Sequence, residues 1–240
     1  MVYVMSDIHG YYKSFLKMLE KIRFGEDDTL YVIGDLIDRG PSSLQLLEYC
    51  KNNPNIKVLK GNHEYMLEMY YNDNGVRKCW LRSGGDTTLG EIRNLYGENS
   101  KQEKDLVEWI GNLPLFEYIK VNGYYFLLTH AGMSKDLFEK YRKIYKISRW
   151  SKIDLEDLFE WAVEYLEWNR SSILWDKGIF ESRFTFTKDY LIIGHTPNKS
   201  NKIEKINKVY NIDCGSYDKN GFLGCLCLDN FEEFYIKSVD

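Results

Sequence analysis

Short apolar runs, each closed by polar and glycine residues, recur through the first half of the chain. Val2–Met5, Thr29–Ile33 and Ile56–Leu59 are rich in β-branched residues, are bounded by turn signals and read as buried strands. Between them the apolar spacing lengthens to that of a helix. Over 13–22, Phe15, Leu16, Leu19 and Ile22 share one face; over 42–51, Leu44, Leu47 and Tyr49 alternate with polar positions. Pro41 falls in the first turn of that second helix, where a missing N–H loses no partner. Strand, helix, strand, helix predicts βαβ units and a mainly parallel sheet.

Two longer stretches, 65–120 and 134–187, break this rhythm and read mostly helical, with turns at Gly84-Gly85 and Gly97. Further strands are predicted at 124–128, 190–193, 209–212, 222–228 and 234–239, the last two flanking Asp229-Asn230 as a terminal hairpin. No internal repeat, low-complexity tract or linker divides the 240 residues. One α/β domain, 1–240, with helical cap insertions over 65–120 and 134–187 is the expectation.

Charge and cysteine usage narrow the function classes. A net charge of −4 provides no field that would draw nucleic acid or an anionic membrane, so no nucleic-acid partner is expected. Any bound anion must be held locally. No apolar run approaches the roughly 20 residues of a membrane span, and MVYVMSD turns acidic too soon for a signal peptide. The five cysteines (Cys50, Cys79, Cys214, Cys225 and Cys227) are odd in number and contain no C-x-x-C. They read as reduced, largely buried thiols of a cytoplasmic protein, with a zinc–thiolate site as the alternative.

The chemistry concentrates at the strand ends. The chain has only four histidines, and each follows a predicted strand: Asp7-Ile8-His9-Gly10, Gly61-Asn62-His63-Glu64, Thr129-His130-Ala131-Gly132 and Gly194-His195-Thr196-Pro197. A fifth strand end carries Gly34-Asp35-Leu36-Ile37-Asp38-Arg39-Gly40. Any one of these histidines alone would more often be a satisfied structural residue. Five strand ends rich in Asp, His and Asn, on the rim where open α/β sheets bind ligands, point instead to one site. Imidazole and oxygen donors without thiolates suit Mn, Fe or Zn, and paired cations clamp both the attacking and leaving oxygens of an in-line displacement.

These motifs, DIHG at 7–10, GDLIDRG at 34–40, GNHE at 61–64, HAG at 130–132 and GHTP at 194–197, resemble those of the calcineurin-like metallophosphoesterases, phosphoprotein phosphatase branch, in order and spacing. A sixth element, Trp80-Leu-Arg-Ser-Gly-Gly-Asp-Thr-Thr-Leu89, resembles a signature of the bacterial members, with Ser83 where Asn is usual. The resemblance implies a four-layer α/β/β/α fold, with two mixed β-sheets flanked by helices. It implies two divalent metal ions, manganese first and iron or zinc as alternatives. Asp7 and His9 would bind the first ion, Asp35 would bridge, and Asn62, His130 and His195 would hold the second. Direct attack by a water activated between the ions would cleave the ester. His63 would be the general acid oriented by Asp38, and Arg39, with Asn62, would contact the phosphoryl oxygens. A second phosphate contact is expected between HAG and GHTP, from Lys177 or from Arg183.

Weaker features have structural readings. Trp161, Trp168 and Trp175 lie seven apart and suggest a packed helical face rather than a stacking platform. The basic run 199–208 suggests an exposed loop, and Asp213-Cys214-Gly215 resembles the family's closing strand, with a packing role only. The phosphorylated substrate is expected to be a protein, as for a bacterial-type Ser/Thr protein phosphatase. The alternatives are a small phosphoester or nucleotide, as for a symmetrical bis(5'-nucleosyl)-tetraphosphatase, and a metal- or nucleotide-binding module without turnover. Asp38 and the Glu of GNHE favour the first.

Overall fold

A computed structural model describes residues 1–72, 77–147, 155–165, 174–176 and 189–239. The predicted opening rhythm is present as β1 (Val2–Met5), α1 (Tyr12–Lys21), β2 (Thr29–Ile33), α2 (Ser43–Asn52) and β3 (Ile56–Leu59). Helices α3 (Asn62–Tyr71), α4 (Arg77–Trp80), α5 (Asp86–Leu95) and α6 (Lys101–Gly111) follow, with a π turn, Leu81–Gly85, between α4 and α5. The second half runs β4 (Phe116–Val121), β5 (Tyr124–Thr129), α7 (Lys135–Ile144), α8 (Leu155–Tyr165), β6 (Asp189–Ile193), β7 (Glu204–Ile206), β8 (Val209–Asn211), β9 (Phe222–Cys227) and β10 (Glu233–Lys237).

The strands form two sheets rather than the one mainly parallel sheet that the βαβ rhythm suggests. Among the described residues their orders are β10-β9-β1-β2-β3 and β4-β5-β6-β8-β7. Each has a parallel centre, β1-β2-β3 in one and β5-β6-β8 in the other, with antiparallel strands outside. Side-chain alternation explains the stacking. Val4, Ile33, Leu59 and Leu226 of the first sheet share a buried core with Phe126, Leu128, Ile192 and Tyr210 of the second. Alternate residues Tyr3, Met5, Leu30, Val32, Cys225 and Cys227 face the other way, against Phe15 and Met18 of α1 and Leu44 and Leu47 of α2. Leu127, Leu191 and Ile193 pack against Leu137 of α7 and Phe159 of α8. The order of layers is therefore α/β/β/α.

Several local expectations shift. Along α1 and its C-cap the buried stripe is Phe15, Met18, Leu19 and Ile22, while Leu16 is 36% exposed, because the i, i+3, i+4, i+7 face is the one turned to the sheet. Pro41 lies outside α2, whose first amides are capped from afar: the Glu91 carboxylate accepts the N–H groups of Ser43 (2.9 Å) and Leu44 (3.0 Å). The stretch read as helical to 120 ends in β4, and the basic run 199–208 contains the short edge strand β7, paired to β8. Trp161 packs on Tyr141 of α7, whereas Trp175 lies edge-on to Tyr65 of α3, so the two share no face; Trp168 is outside the described residues. The five cysteines are unpaired, all buried except Cys79. Among the described residues, no helix is long and apolar enough to cross a membrane.

Candidate metal centre

The parallel strands of both sheets deliver their carboxyl ends to one rim. His9 follows β1, Asp35 follows β2, Asn62 and His63 follow β3, His130 follows β5 and His195 follows β6. Two groups of three donors form there, His9–Asp35–His63 and Asp35–His130–His195, with ligand atoms within 4.8 Å of one another in each. Asp35 is common to both and divides its oxygens between them. Oδ2 lies 3.7 Å from His9 Nε2 and 3.8 Å from His63 Nε2, and Oδ1 lies 3.4 Å from His130 Nε2.

The backbone is bent hard to achieve this. Asp7, His9, Asp35, Asp38, Arg39 and His195 all have positive φ, between 51° and 74°. Such conformations cost on the order of 1–3 kcal/mol each for non-glycine residues and persist where surrounding structure holds them. Glu64, of the GNHE motif, does much of the holding. Its buried carboxylate accepts N–H groups from Asp35, Leu36 and Gly61 at 2.8 Å and from Ile37 at 3.3 Å, stitching two strand ends together. Gly34 is required for closeness: a Cβ there would lie 2.6 Å from Gly61 Cα and 2.7 Å from His130 Nδ1.

The donor set fits divalent cations. His9 Nδ1 donates to the Ile37 carbonyl (2.9 Å) and His130 Nδ1 to the Ile33 carbonyl (3.0 Å), so each turns its Nε2 lone pair inward. Burial, with the charges of His63 and Arg39, holds the His9 imidazole well below its usual pKa, in the neutral, ligating form. His130 Nε2 and His195 Nδ1 both face Asn62 Oδ1, at 2.8 and 2.9 Å. Burial likewise pushes the Asp35 carboxyl well above the carboxylate range, as expected of an acid awaiting a compensating charge. With imidazole and oxygen donors and no thiol among them, manganese, iron and zinc all suit.

Beside this centre lies an acid pair. His63 Nδ1 donates to Asp38 Oδ2 at 2.6 Å. Burial opposes charge on His63, but Asp35 and Asp38 outweigh it and raise its pKa above the usual imidazole value. Asp38 is itself fixed by the Trp80 indole N–H on Oδ2 and the Thr88 hydroxyl on Oδ1, each at 2.7 Å. The segment 80–89 thus supplies both ends of the Asp38 clamp. Arg39 donates to His9 Nε2 (2.7 Å), its other terminal nitrogen lies 3.2 Å from His63 Nε2, and its guanidinium lies 4.0 Å from the centre of the Tyr217 ring. Its backbone N–H donates to Gly84 O at 3.1 Å, and its Nε to Ser83 O at 3.4 Å. The Ser83 hydroxyl turns away to Cys79 O, so the Ser-for-Asn departure leaves the carbonyl contact unaltered.

Of the residues singled out from sequence, His9, Asp35, Asn62, His63, His130, His195, Asp38 and Arg39 meet within this cluster. Asp7 stands at its edge, outside both donor groups, where Oδ2 accepts from the Ser6 hydroxyl and from His195 N (2.9 Å). Lys177 and Arg183 lie outside the described residues. Sequence reasoning quoted Glu64, Trp80 and Thr88 only as parts of motifs, gave Asp213 a packing role only, and missed Tyr217 in the loop after β8. Asp213 and Tyr217 lie there, both against the cluster, Tyr217 with its ring edge-on to His9 at 5.2 Å. A signal for that loop existed: Asp213-Cys-Gly follows a strand in the same manner as the other motifs.

The geometry agrees with what the chain resembles. Residues 1–215 match the calcineurin-like phosphoesterase family. Over 92% of its length the chain is 26% identical to the asymmetrical bis(5'-nucleosyl)-tetraphosphatase PrpE of Bacillus velezensis, of which it covers 86%. Identity is also 26% to serine/threonine-protein phosphatase 1 of Salmonella typhimurium, across 82% of the chain and 78% of that enzyme. A symmetrical bis(5'-nucleosyl)-tetraphosphatase of Pasteurella multocida is 30% identical over 56% of the chain, which spans only 45% of that relative. The crystal structure of a putative diadenosine tetraphosphatase superposes over 100% of the chain and 94% of its own, with TM-score 0.64 and 14% identity, a likeness of fold. With its divalent-cation donors on the carboxyl rim of two stacked mixed sheets, the chain belongs to the calcineurin-like phosphoesterase family and is a metal-dependent hydrolase of phosphoric esters.

Proposed function

We propose that the protein is a phosphomonoesterase of the Ser/Thr protein phosphatase type, acting on phosphorylated side chains. The observation that carries this reading is the Asp38–His63 pair, closed at 2.6 Å and buried. A serine or threonine alkoxide is a poor leaving group and needs a proton in the transition state, which general acids supply at a gain of about 10²–10⁴ in rate. Cleavage of a phosphoanhydride expels a phosphate, which needs that proton far less.

In this reading Asp35, His9 and Asp7 hold one cation, and Asp35, Asn62, His130 and His195 the other. When bound, the cations supply Lewis-acid polarisation of the phosphoryl group and a water acidified enough to act near neutral pH. Manganese is the first assignment, as the resemblance implies, with iron and zinc as alternatives for the same donors. Arg39 turns its planar fork from the two imidazoles onto the phosphoryl oxygens, with the Asn62 amide beside it. His63 then delivers its Nε2 proton to the departing oxygen while Asp38 holds the ring. Lys177 or Arg183 supplies the second phosphate contact. The buried, unpaired thiols suit the reducing cytoplasm.

A dinucleoside polyphosphatase is the second reading, favoured by the names of two relatives. The test compares kcat/KM on a phosphoserine peptide and on diadenosine tetraphosphate, for the manganese-loaded protein and for His63→Asn. Preference for the peptide, with a loss of about 10²–10⁴ in the variant, is expected. Preference for the dinucleotide with little loss would establish the second reading. No turnover of either by folded, loaded protein would leave a binding module.

A further inference from the structure

Among the described residues, six parallel strand ends reach the rim, and the centre described above draws its donors from five. The sixth, after β8, carries Asp213. This residue is 1% exposed. One carboxylate oxygen, Oδ1, accepts the Gly215 N–H at 2.9 Å and shapes the turn. The other, Oδ2, is the one buried side-chain oxygen or nitrogen, among the described residues, without a hydrogen-bond partner. The turn needs only Oδ1, which an asparagine would provide equally well. Nothing in the packing employs Oδ2.

Its surroundings say what does. Asp213 follows β8, which pairs in parallel with β6, the strand that ends at His195, whose N–H donates to Asp7 Oδ2, and Asp7, Asp35 and Arg39 are charged neighbours of Asp213. The loop is fastened to the same place: the Ser216 hydroxyl donates to the Asp7 carbonyl, and the Tyr217 ring meets His9 edge-on. Three buried carboxyl groups therefore gather at the Asp7–His9 end, and they can be ionised together only beside positive charge; without it they take up protons. Among the described residues, that end is also short of donors. His63 is committed to Asp38 as an acid, which leaves the first cation His9, the shared Asp35 and Asp7, whose Oδ2 already accepts two hydrogen bonds. The second cation has Asn62, His130 and His195 to itself beside the shared Asp35.

We propose that Asp213 is a further cation-holding residue, its free oxygen supplying the acidic donor that the Asp7–His9 end of the centre lacks. The inference rests on the two-cation reading of the site. It separates Asp213 from a structural turn former by a sign. A structural carboxylate stabilises the empty protein; one kept for a cation destabilises it until the cation arrives.

The test uses the full chain stripped of metal, as wild type and as Asp213→Asn, which retains the Oδ1 contact. Manganese binding is followed by calorimetry and by the electron-paramagnetic signal of free Mn²⁺, and thermal unfolding of the stripped proteins is recorded beside it. Wild type is expected to take up two ions. Asp213→Asn should hold one unchanged and lose about ten- to hundredfold in affinity for the other, the range known for residues supporting metal ligands. Its stripped form should unfold at the same or a higher temperature. Two ions bound at wild-type affinity would overturn the proposal, as would a stripped variant that unfolds earlier or fails to fold. If wild type itself binds no manganese, the two-cation reading falls, an outcome distinct from failure of the Asp213 assignment alone.

Discussion

Asp35 and His63 are adjacent in the site and differ in what their loss should remove. Asp35 offers one oxygen to each donor group, so Asp35→Asn weakens both at once. Activity should vanish and manganese uptake fall at both positions, as metal analysis will show. His63→Asn should retain its metal, yet turn over phosphoserine about 10²–10⁴ times more slowly, and lose much less on an aryl phosphate whose leaving group needs no proton. Equal metal loss in the two variants would refute this division. The pH profile has a definite sign. Asp35 and Asp38 raise the pKa of His63 against the opposing effect of burial, so its proton persists above the usual imidazole range and is lost as pH rises through the raised value. Activity on phosphoserine should therefore decline on the alkaline side. Asp38→Asn should move that decline to lower pH, and an unmoved profile would argue against an acid role. The same proton makes a stability contribution that is full below the unfolded imidazole pKa and fades as pH climbs through the folded one.

At the scale of elements, the segment from α4 into α5 and the loop after β8 act as two jaws on residues that they never precede in sequence. Thr88 on α5 is buried and closes Asp38 Oδ1. Thr88→Val keeps the shape and removes the donor, leaving a buried carboxylate oxygen short of a partner at a cost of about 1–3 kcal/mol. Chemical denaturation and kcat should fall together. The opposite jaw presents Tyr217 to the Arg39 guanidinium at 4.0 Å. Tyr217→Leu should raise KM about two- to thirtyfold, with kcat changed less, the equivalent of about 0.5–2 kcal/mol for a cation on an aromatic face. A kcat effect larger than the KM effect would place Tyr217 in the chemical step instead.

For the whole molecule, the donors are shared between the two sheets: the ends of β1, β2 and β3 on one side, of β5 and β6 on the other. Bound cations in this arrangement join the sheets across their common core. Adding manganese to stripped protein should raise the unfolding temperature, with about 2.7 kcal/mol gained when free metal reaches about 100 times its dissociation constant. Asp35→Asn should lose most of that gain. An unfolding temperature indifferent to manganese would speak against a centre that spans both sheets.

The parallel opening β1-α1-β2-α2-β3, the terminal hairpin and the eight candidate residues that the structure brings together were legible in the chain, because each is written locally. Strand runs, helical spacing and a turn-forming motif of Asp, His, Asn and Gly all lie within a few neighbouring positions. The second sheet was legible only through the resemblance that the motifs carry, not from the apolar pattern itself. Whether alternate faces of β5 and β6 meet helices or another sheet depends on partners distant in sequence, and an apolar run reads the same either way. Nor did β7, with three residues in a basic stretch, have a pattern of its own; pairing to β8 makes it a strand. The same division governs the site. Sequence by itself determined which side chains are capable of holding cations and of moving a proton, since that is a property of residue type. Only the tertiary structure decided that Glu64, Trp80, Thr88, Asp213 and Tyr217 belong with them, because burial, hydrogen-bond satisfaction and neighbouring charge exist only once distant strand ends are brought together.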